Sequence, residues 1–144
     1  MIEIPSDLLK RIVEDAEASY PDECCGLLIG AARRVTRVEP STNVVEQRTR
    51  DRFEIDPQRR IDLERALRGT AECIMGVYHS HPDALPYPSS HDREMAWEPA
   101  LIWLITSVID GQAIHTTAHE LTGPNNSFQE TQIRITHSPA SGAP

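Results

Sequence analysis

Cysteine is scarce in this sequence, and long apolar runs and an excess of basic charge are missing altogether. Three cysteines occur in 144 residues, two of them adjacent at Cys24 and Cys25. That is a poor disulfide framework, so reduced, buried thiols are expected. No apolar stretch approaches the roughly 20 residues that a membrane-spanning helix needs. The opening Met1-Ile-Glu-Ile-Pro5 lacks the basic and apolar regions of a secretory signal, which makes the cytoplasm the expected compartment. A net charge of -8 argues against nucleic acid or an anionic membrane as the main partner and leaves a neutral or basic protein. No internal repeat is visible. What remains, 39% hydrophobic and 25% charged residues, is the composition of an ordinary globular chain long enough for one core. We expect one domain over residues 1–136 and a short, small-residue tail over 137–144 without order.

The chemistry concentrates between His79 and Asp92, in the stretch His-Ser-His-Pro-Asp-Ala-Leu-Pro-Tyr-Pro-Ser-Ser-His-Asp. His79 and His81 are two apart, so on a strand both imidazoles project from one face and can share an ion. Asp92 follows a proline-punctuated loop that can bring a third ligand back. Two histidines and a carboxylate leave one tetrahedral position open, the feature that separates catalytic from structural zinc. Such a site makes water a usable nucleophile near neutral pH. His91 is an alternative third ligand, because three histidines also suit zinc, and spacing does not choose between His91 and Asp92. Ser89-x-x-Asp92 is in addition a capping box for the next helix, which accounts for those two residues but not for the paired histidines.

Other metal patterns fit less well. His79-x-His81-x-Asp83 begins like a metallo-β-lactamase signature, but Ala84 stands where that site needs a histidine. A cupin site wants a carboxylate three or four residues after His81, where Leu85 and Pro86 occur. A zinc deaminase needs Pro-Cys-x-x-Cys, and no Cys-x-x-Cys exists in the chain.

The surrounding pattern reads as an α/β domain. Ile2 and Ile4 open a short strand that Pro5 ends. Ser6 is placed to cap a helix whose apolar stripe is Leu8, Leu9, Ile12, Val13 and Ala16. Cys24 to Gly30 reads as a buried strand, and Arg33 to Glu39 as an exposed strand beside it. Val44 to Asp51, with Arg48, Arg50 and Arg52 two apart, reads as a solvated loop, although those arginines could grip a partner's carboxylates. Arg52 to Asp56 alternates like a strand. Asp56-Pro57 starts a helix with Leu63, Ala66 and Leu67 facing inward and Gly69 at its end. Cys73 to Tyr78 is a central strand, and period two places Cys73, Met75, Val77, His79 and His81 on one face, with Cys73 in the core. Ser89 to Trp97 should be a short helix with Met95 and Ala96 inward, ended by Pro99. Ala100 to Thr106, Gln112 to Ala118 and Gln132 to Ile135 read as strands, with Asp110-Gly111 as a hairpin turn and Gly123 to Asn126 as a loop. His115 and His119, too far apart on a strand to share a metal, are expected at the surface.

Glu23 stands at the mouth of the second strand. A lone acid there is ordinarily solvated, but a zinc site needs a general base that is not a ligand, and a carboxylate on a neighbouring strand supplies one. Pro21-x-Glu23-x-Cys25-Gly26-Leu27-Leu28, followed by His79-x-His81-Pro82 and Ser89-x-x-Asp92, resembles the JAMM/MPN metalloprotease family. The resemblance implies a cytidine-deaminase-like α/β domain, a mixed and mostly antiparallel curved sheet with flanking helices. It implies one catalytic Zn2+ on His79, His81 and Asp92, with Glu23 as acid/base and Ser89 stabilising the tetrahedral intermediate. It further implies hydrolysis after the C-terminal Gly-Gly of a ubiquitin-fold protein. The compact chain is most similar to bacterial members that trim an amino acid, often cysteine, from a sulfur-carrier protein. A non-catalytic scaffold for such a partner and a small-molecule zinc amidohydrolase are the alternative readings.

Overall fold

The computed structural model describes residues 1–45, 53–96, 98, 100–122 and 127–137. In chain order the elements are β1 (Ile2–Pro5), α1 (Ser6–Ser19), β2 (Cys25–Ala31), β3 (Arg34–Ser41), α2 (Pro57–Leu67), β4 (Cys73–Pro82), α3 (Ser90–Met95), β5 (Ile102–Ile109), β6 (Gln112–Leu121), β7 (Phe128–Thr131) and β8 (Ile133–Thr136). The strands form one sheet in the order β7-β6-β5-β4-β2-β3-β1-β8. Pairing is antiparallel for β2–β3, β2–β4, β5–β6 and β6–β7, and parallel for β1–β3, β1–β8 and β4–β5. The sheet is mixed and mostly antiparallel, as expected.

Its curvature follows from connectivity. β7 and β8 stand at opposite ends of the sheet, yet only Gln132 separates them in the chain. Laid flat, eight strands about 4.8 Å apart would put those edges about 34 Å from each other, and one residue spans about 3.5 Å. The sheet therefore curls until its ends approach. Ile2 N–H donates to the Gln132 carbonyl at 2.9 Å, and Arg33 pairs with Glu120 of β6 at 2.6 Å. α1 fills the inside of the curl, burying Leu8, Ile12 and Ala16 against Leu28, Val38, Tyr78 and Leu104. α2 covers the outer face, where Leu63 and Leu67 pack with Leu27, Val77 and Trp103.

Several local expectations are corrected. The α1 N-cap is Pro5 with no side-chain cap, and Ser6 is already helical. β3 is interior, with Val35 and Val38 buried. Arg52 to Asp56 does not form a strand among its described residues; Ile55 makes one isolated bridge, to Asn43. Ala66 is exposed because α2 turns only Leu63 and Leu67 inward. Met95 is 41% exposed, while Ala96 is buried just past the end of α3. Period two fails in β4, where Leu28 pairs with Gly76 and Ile29 with Ile74, so Met75 is an extra residue. Met75 joins Tyr78 in the inner core, Val77 belongs to the outer one, and Cys73 is exposed. The Asp110-Gly111 hairpin is as expected, both residues having positive φ. Arg48, Arg50, Arg52, Trp97, Pro99, the Gly123–Asn126 loop and the tail from residue 138 lie outside the described residues.

One glycine is dictated by packing. Gly26 pairs across the sheet with Tyr78, whose fully buried ring donates its hydroxyl to Asp15 at 3.0 Å. A Cβ at Gly26 would lie 2.3 Å from that ring. Gly26→Ala is therefore expected to destabilise the fold by about 1–3 kcal/mol, the cost of overpacking. A lower urea midpoint at unchanged slope is the expected result; an unchanged midpoint would mean the ring moves aside freely.

Candidate metal centre

Two neighbouring strands and one helix turn build the site. β4 sends the buried His79 and His81 from one side of the strand, with ring centroids 4.9 Å apart. On β2, Cys25 pairs with His79, and Glu23 enters from the same end two residues earlier. Glu23 Oε1 lies 2.9 Å from His79 Nδ1. Since a carboxylate only accepts, Nδ1 carries the proton and Nε2 is left with a lone pair. His81 Nδ1 donates to the Leu85 carbonyl at 2.8 Å, and its Nε2 faces Asp92 Oδ2 at 3.0 Å.

Asp92 faces both of those nitrogens. Its Oδ1 is 3.6 Å from His79 Nε2, and its Oδ2 is 3.0 Å from His81 Nε2. The first turn of α3 fixes it there: Ser89 N–H donates to Asp92 Oδ2 at 2.9 Å, and Ser89 Oγ accepts from Asp92 N–H at 3.1 Å. The capping box and the placement of Asp92 are thus one structure. His91, on the same turn, faces Glu94 at 3.9 Å instead.

The protonation states suit metal binding. Burial pushes His79 down against the pull of the Asp92 charge, so its ring is neutral at neutral pH. Burial alone would raise the Asp92 carboxyl, but His79, the His81 hydrogen bond and the Ser89 N–H outweigh it and hold it at about 2. Neutral imidazoles and an ionised carboxylate are the forms that bind a metal ion. The His79 Nε2 lone pair faces the Asp92 carboxylate across 3.6 Å, a repulsive approach that a cation would relieve. His79 Nε2 and Asp92 Oδ1 are also buried without a hydrogen bond. An N,N,O donor set of this kind fits zinc. Glu23, His79 and His81 can bring one ligand atom each within 4.8 Å of one another, so Glu23 belongs to the same cluster. It reaches His79 at Nδ1, the nitrogen turned away from Asp92.

The adjoining cysteines are not part of this chemistry. Burial pushes both thiols up, Cys25 to about 12, so neither is a thiolate at neutral pH. Residues with no distinguishing sequence signal complete the surroundings. Phe53 stacks on His79 at 4.2 Å, and Trp103 meets it edge-on at 5.5 Å. Beyond these rings lies an apolar cleft of about 280 Å³ lined by Leu27, Ile55, Val77, Met95 and Leu101 among others. His119, expected at the surface, is 3% exposed, and its ring lies within hydrogen-bond distance of Thr117 and the Pro86 carbonyl. His115 is exposed as expected. Thr117 and His119 share a face of β6, a pattern visible in the sequence, but only the fold shows that this face meets the loop carrying Pro86.

A sequence profile of the prokaryotic homologues of the JAB domain matches residues 5–120. The chain belongs to this branch of the JAMM/MPN family. Within the family it is 37% identical over 130 residues to a desampylase of Haloferax volcanii, covering 89% of this chain and 88% of that one. It is 32% identical over 109 residues to a CysO-cysteine peptidase of Mycobacterium tuberculosis, covering 74% and 73%. A solution structure of a Desulfitobacterium hafniense protein superposes with a TM-score of 0.82 at 25% identity, over 96% of this JAMM/MPN chain and 94% of that one.

Proposed function

We propose that this JAMM/MPN protein is a zinc-dependent peptidase or isopeptidase that cuts after the C-terminal Gly-Gly of a ubiquitin-fold, sulfur-carrier-type protein. The observation that carries the reading is the convergence of His79 Nε2, His81 Nε2 and the Asp92 carboxylate on one buried point, with Glu23 in the same cluster. The substrate class is supported by the desampylase and CysO-cysteine peptidase relatives.

In this reading His79, His81 and Asp92 are the residues that would hold the ion, and Asp92 would supply the compensating negative charge. Zinc, when bound, acts as a Lewis acid and lowers the pKa of water at the site toward about 7. Glu23 takes the proton of the attacking water and returns it to the departing amine. Its Oε1 is already hydrogen-bonded to His79, so base and ligand are held in one geometry. Ser89 Oγ uses a lone pair on the Asp92 N–H, which leaves its hydroxyl proton to donate to the developing oxyanion. Such a donor contributes about 2.7–4 kcal/mol. Phe53 and Trp103 exclude water from two sides of His79.

The test is mass spectrometry of a Gly-Gly-tailed ubiquitin-fold carrier, extended by a few residues, after incubation with zinc-loaded protein. Scission directly after the second glycine is expected. An intact carrier beside fully zinc-loaded protein would overturn the substrate class, and failure to bind zinc would overturn the reading as a whole.

A further inference from the structure

The loop from Asp83 to Ser89 carries the carbonyl that orients His81, and its first residue is anchored where the Asp83 carboxylate accepts from the Tyr20 hydroxyl and the Asp110 N–H. Leu85, whose oxygen accepts the His81 Nδ1 proton, has its side chain 70% exposed. Around Leu85 itself the sheet beneath supplies the anchors. Ser107 of β5 donates its hydroxyl to the Ala84 carbonyl, and Thr117 of β6 donates its hydroxyl to the Pro86 carbonyl. His119 Nε2 lies 2.7 Å from Thr117 Oγ1 and 3.1 Å from the same Pro86 oxygen. With the threonine proton given to Pro86, His119 Nε2 carries its own proton and donates into the pair. The carbonyls on both sides of Leu85 are thus pinned by buried side chains of adjacent strands, and the Leu85 carbonyl is fixed between them.

This arrangement has no need of a histidine merely to fill space. His119 is buried among Tyr87, Trp103 and Phe128, a setting an aromatic hydrocarbon would satisfy. The polar edge of its ring is spent on a backbone oxygen of the loop that joins two members of the metal cluster. Groups that fix the far nitrogen of a metal-binding histidine set its tautomer and its aim.

We propose that Thr117 and His119 are positioning residues of the metal centre: by holding the Pro86 carbonyl they fix the Leu85 carbonyl, which keeps the proton of His81 on Nδ1 and turns its Nε2 toward Asp92. The inference rests on the reading of His81 as a zinc ligand. Neither residue belongs to the Glu23, His79 and His81 group or to the Asp92 turn.

The test compares the wild type with Thr117→Val/His119→Phe, which keeps the volumes and removes both donors. Nitrogen-15 NMR of the His81 ring in metal-free protein should report a fully protonated Nδ1 in the wild type and a partly unprotonated Nδ1 in the variant. Zinc affinity, measured by chelator competition, should fall about 10- to 100-fold, the range for lost support of a ligand. Thr117→Ser and His119→Gln, each of which restores a donor, should recover both readouts. An unchanged His81 tautomer together with unchanged zinc affinity in the double variant would overturn the proposal, as would loss that neither rescue recovers. If the double variant does not fold, Thr117→Val alone carries the test with the same two readouts. A wild-type protein that fails to bind zinc would instead overturn the zinc-peptidase reading, while the clamp itself is judged on the metal-free tautomer.

Discussion

Glu23→Gln is expected to lower kcat by about 10²- to 10⁴-fold, the usual contribution of a positioned general base, while zinc stays bound at full stoichiometry. Glutamine keeps the carbonyl oxygen that accepts from His79 Nδ1, so the imidazole keeps its orientation. What it loses is a lone pair basic enough to take a proton from water. Turnover of the Gly-Gly carrier and metal content by mass spectrometry separate the two consequences. Zinc lost along with activity would make Glu23 a ligand, an arrangement its place in the cluster permits sterically.

Asp92→Ala should act in the opposite order, with the metal leaving first. The substitution removes both oxygens that face the two Nε2 atoms, together with the acceptor for the Ser89 N–H. Zinc affinity should fall by more than about 100-fold, the upper end of what a mere supporting residue contributes, and carrier cleavage should be undetectable. Asp92→Asn separates charge from capping. It retains an oxygen for the Ser89 N–H and should keep α3, yet the neutral amide no longer balances the ion. Full zinc occupancy in Asp92→Ala would transfer the third-ligand role to His91.

The sequence made these residues visible because their spacing obeys local rules. Two residues on a strand share a face wherever no bulge intervenes, and none lies between His79 and His81. Ser89 and Asp92 stand three apart because a capping box requires it. Less local features escaped. The register shift at Met75 depends on how β2 and β4 meet, so the alternation that holds for His79 and His81 fails further back in the same strand. β7 is four residues with little alternation, and it becomes a strand by pairing with β6. Phe53 stacks on His79 from a segment whose alternation suggested a strand and which the fold uses as an irregular wall. His119 looked like a surface residue because its burial comes from the loop that folds over it, not from its neighbours in β6.

The pairing of β1 with β8 couples, in time as well as in space, two strands far apart in the sequence. Ile2 pairs with Ile133 and Pro5 with Thr136, so β1 takes as its outer neighbour a strand synthesised long after it. Until residues 133–136 emerge, β1 has only its narrow contact with β3 on one side and an open edge on the other. Contacts between residues so far apart in sequence are slow to form. Completion of the sheet, and with it the full enclosure of α1, therefore waits on β8. Any fusion or truncation at the C-terminal strand acts first on the N-terminal one.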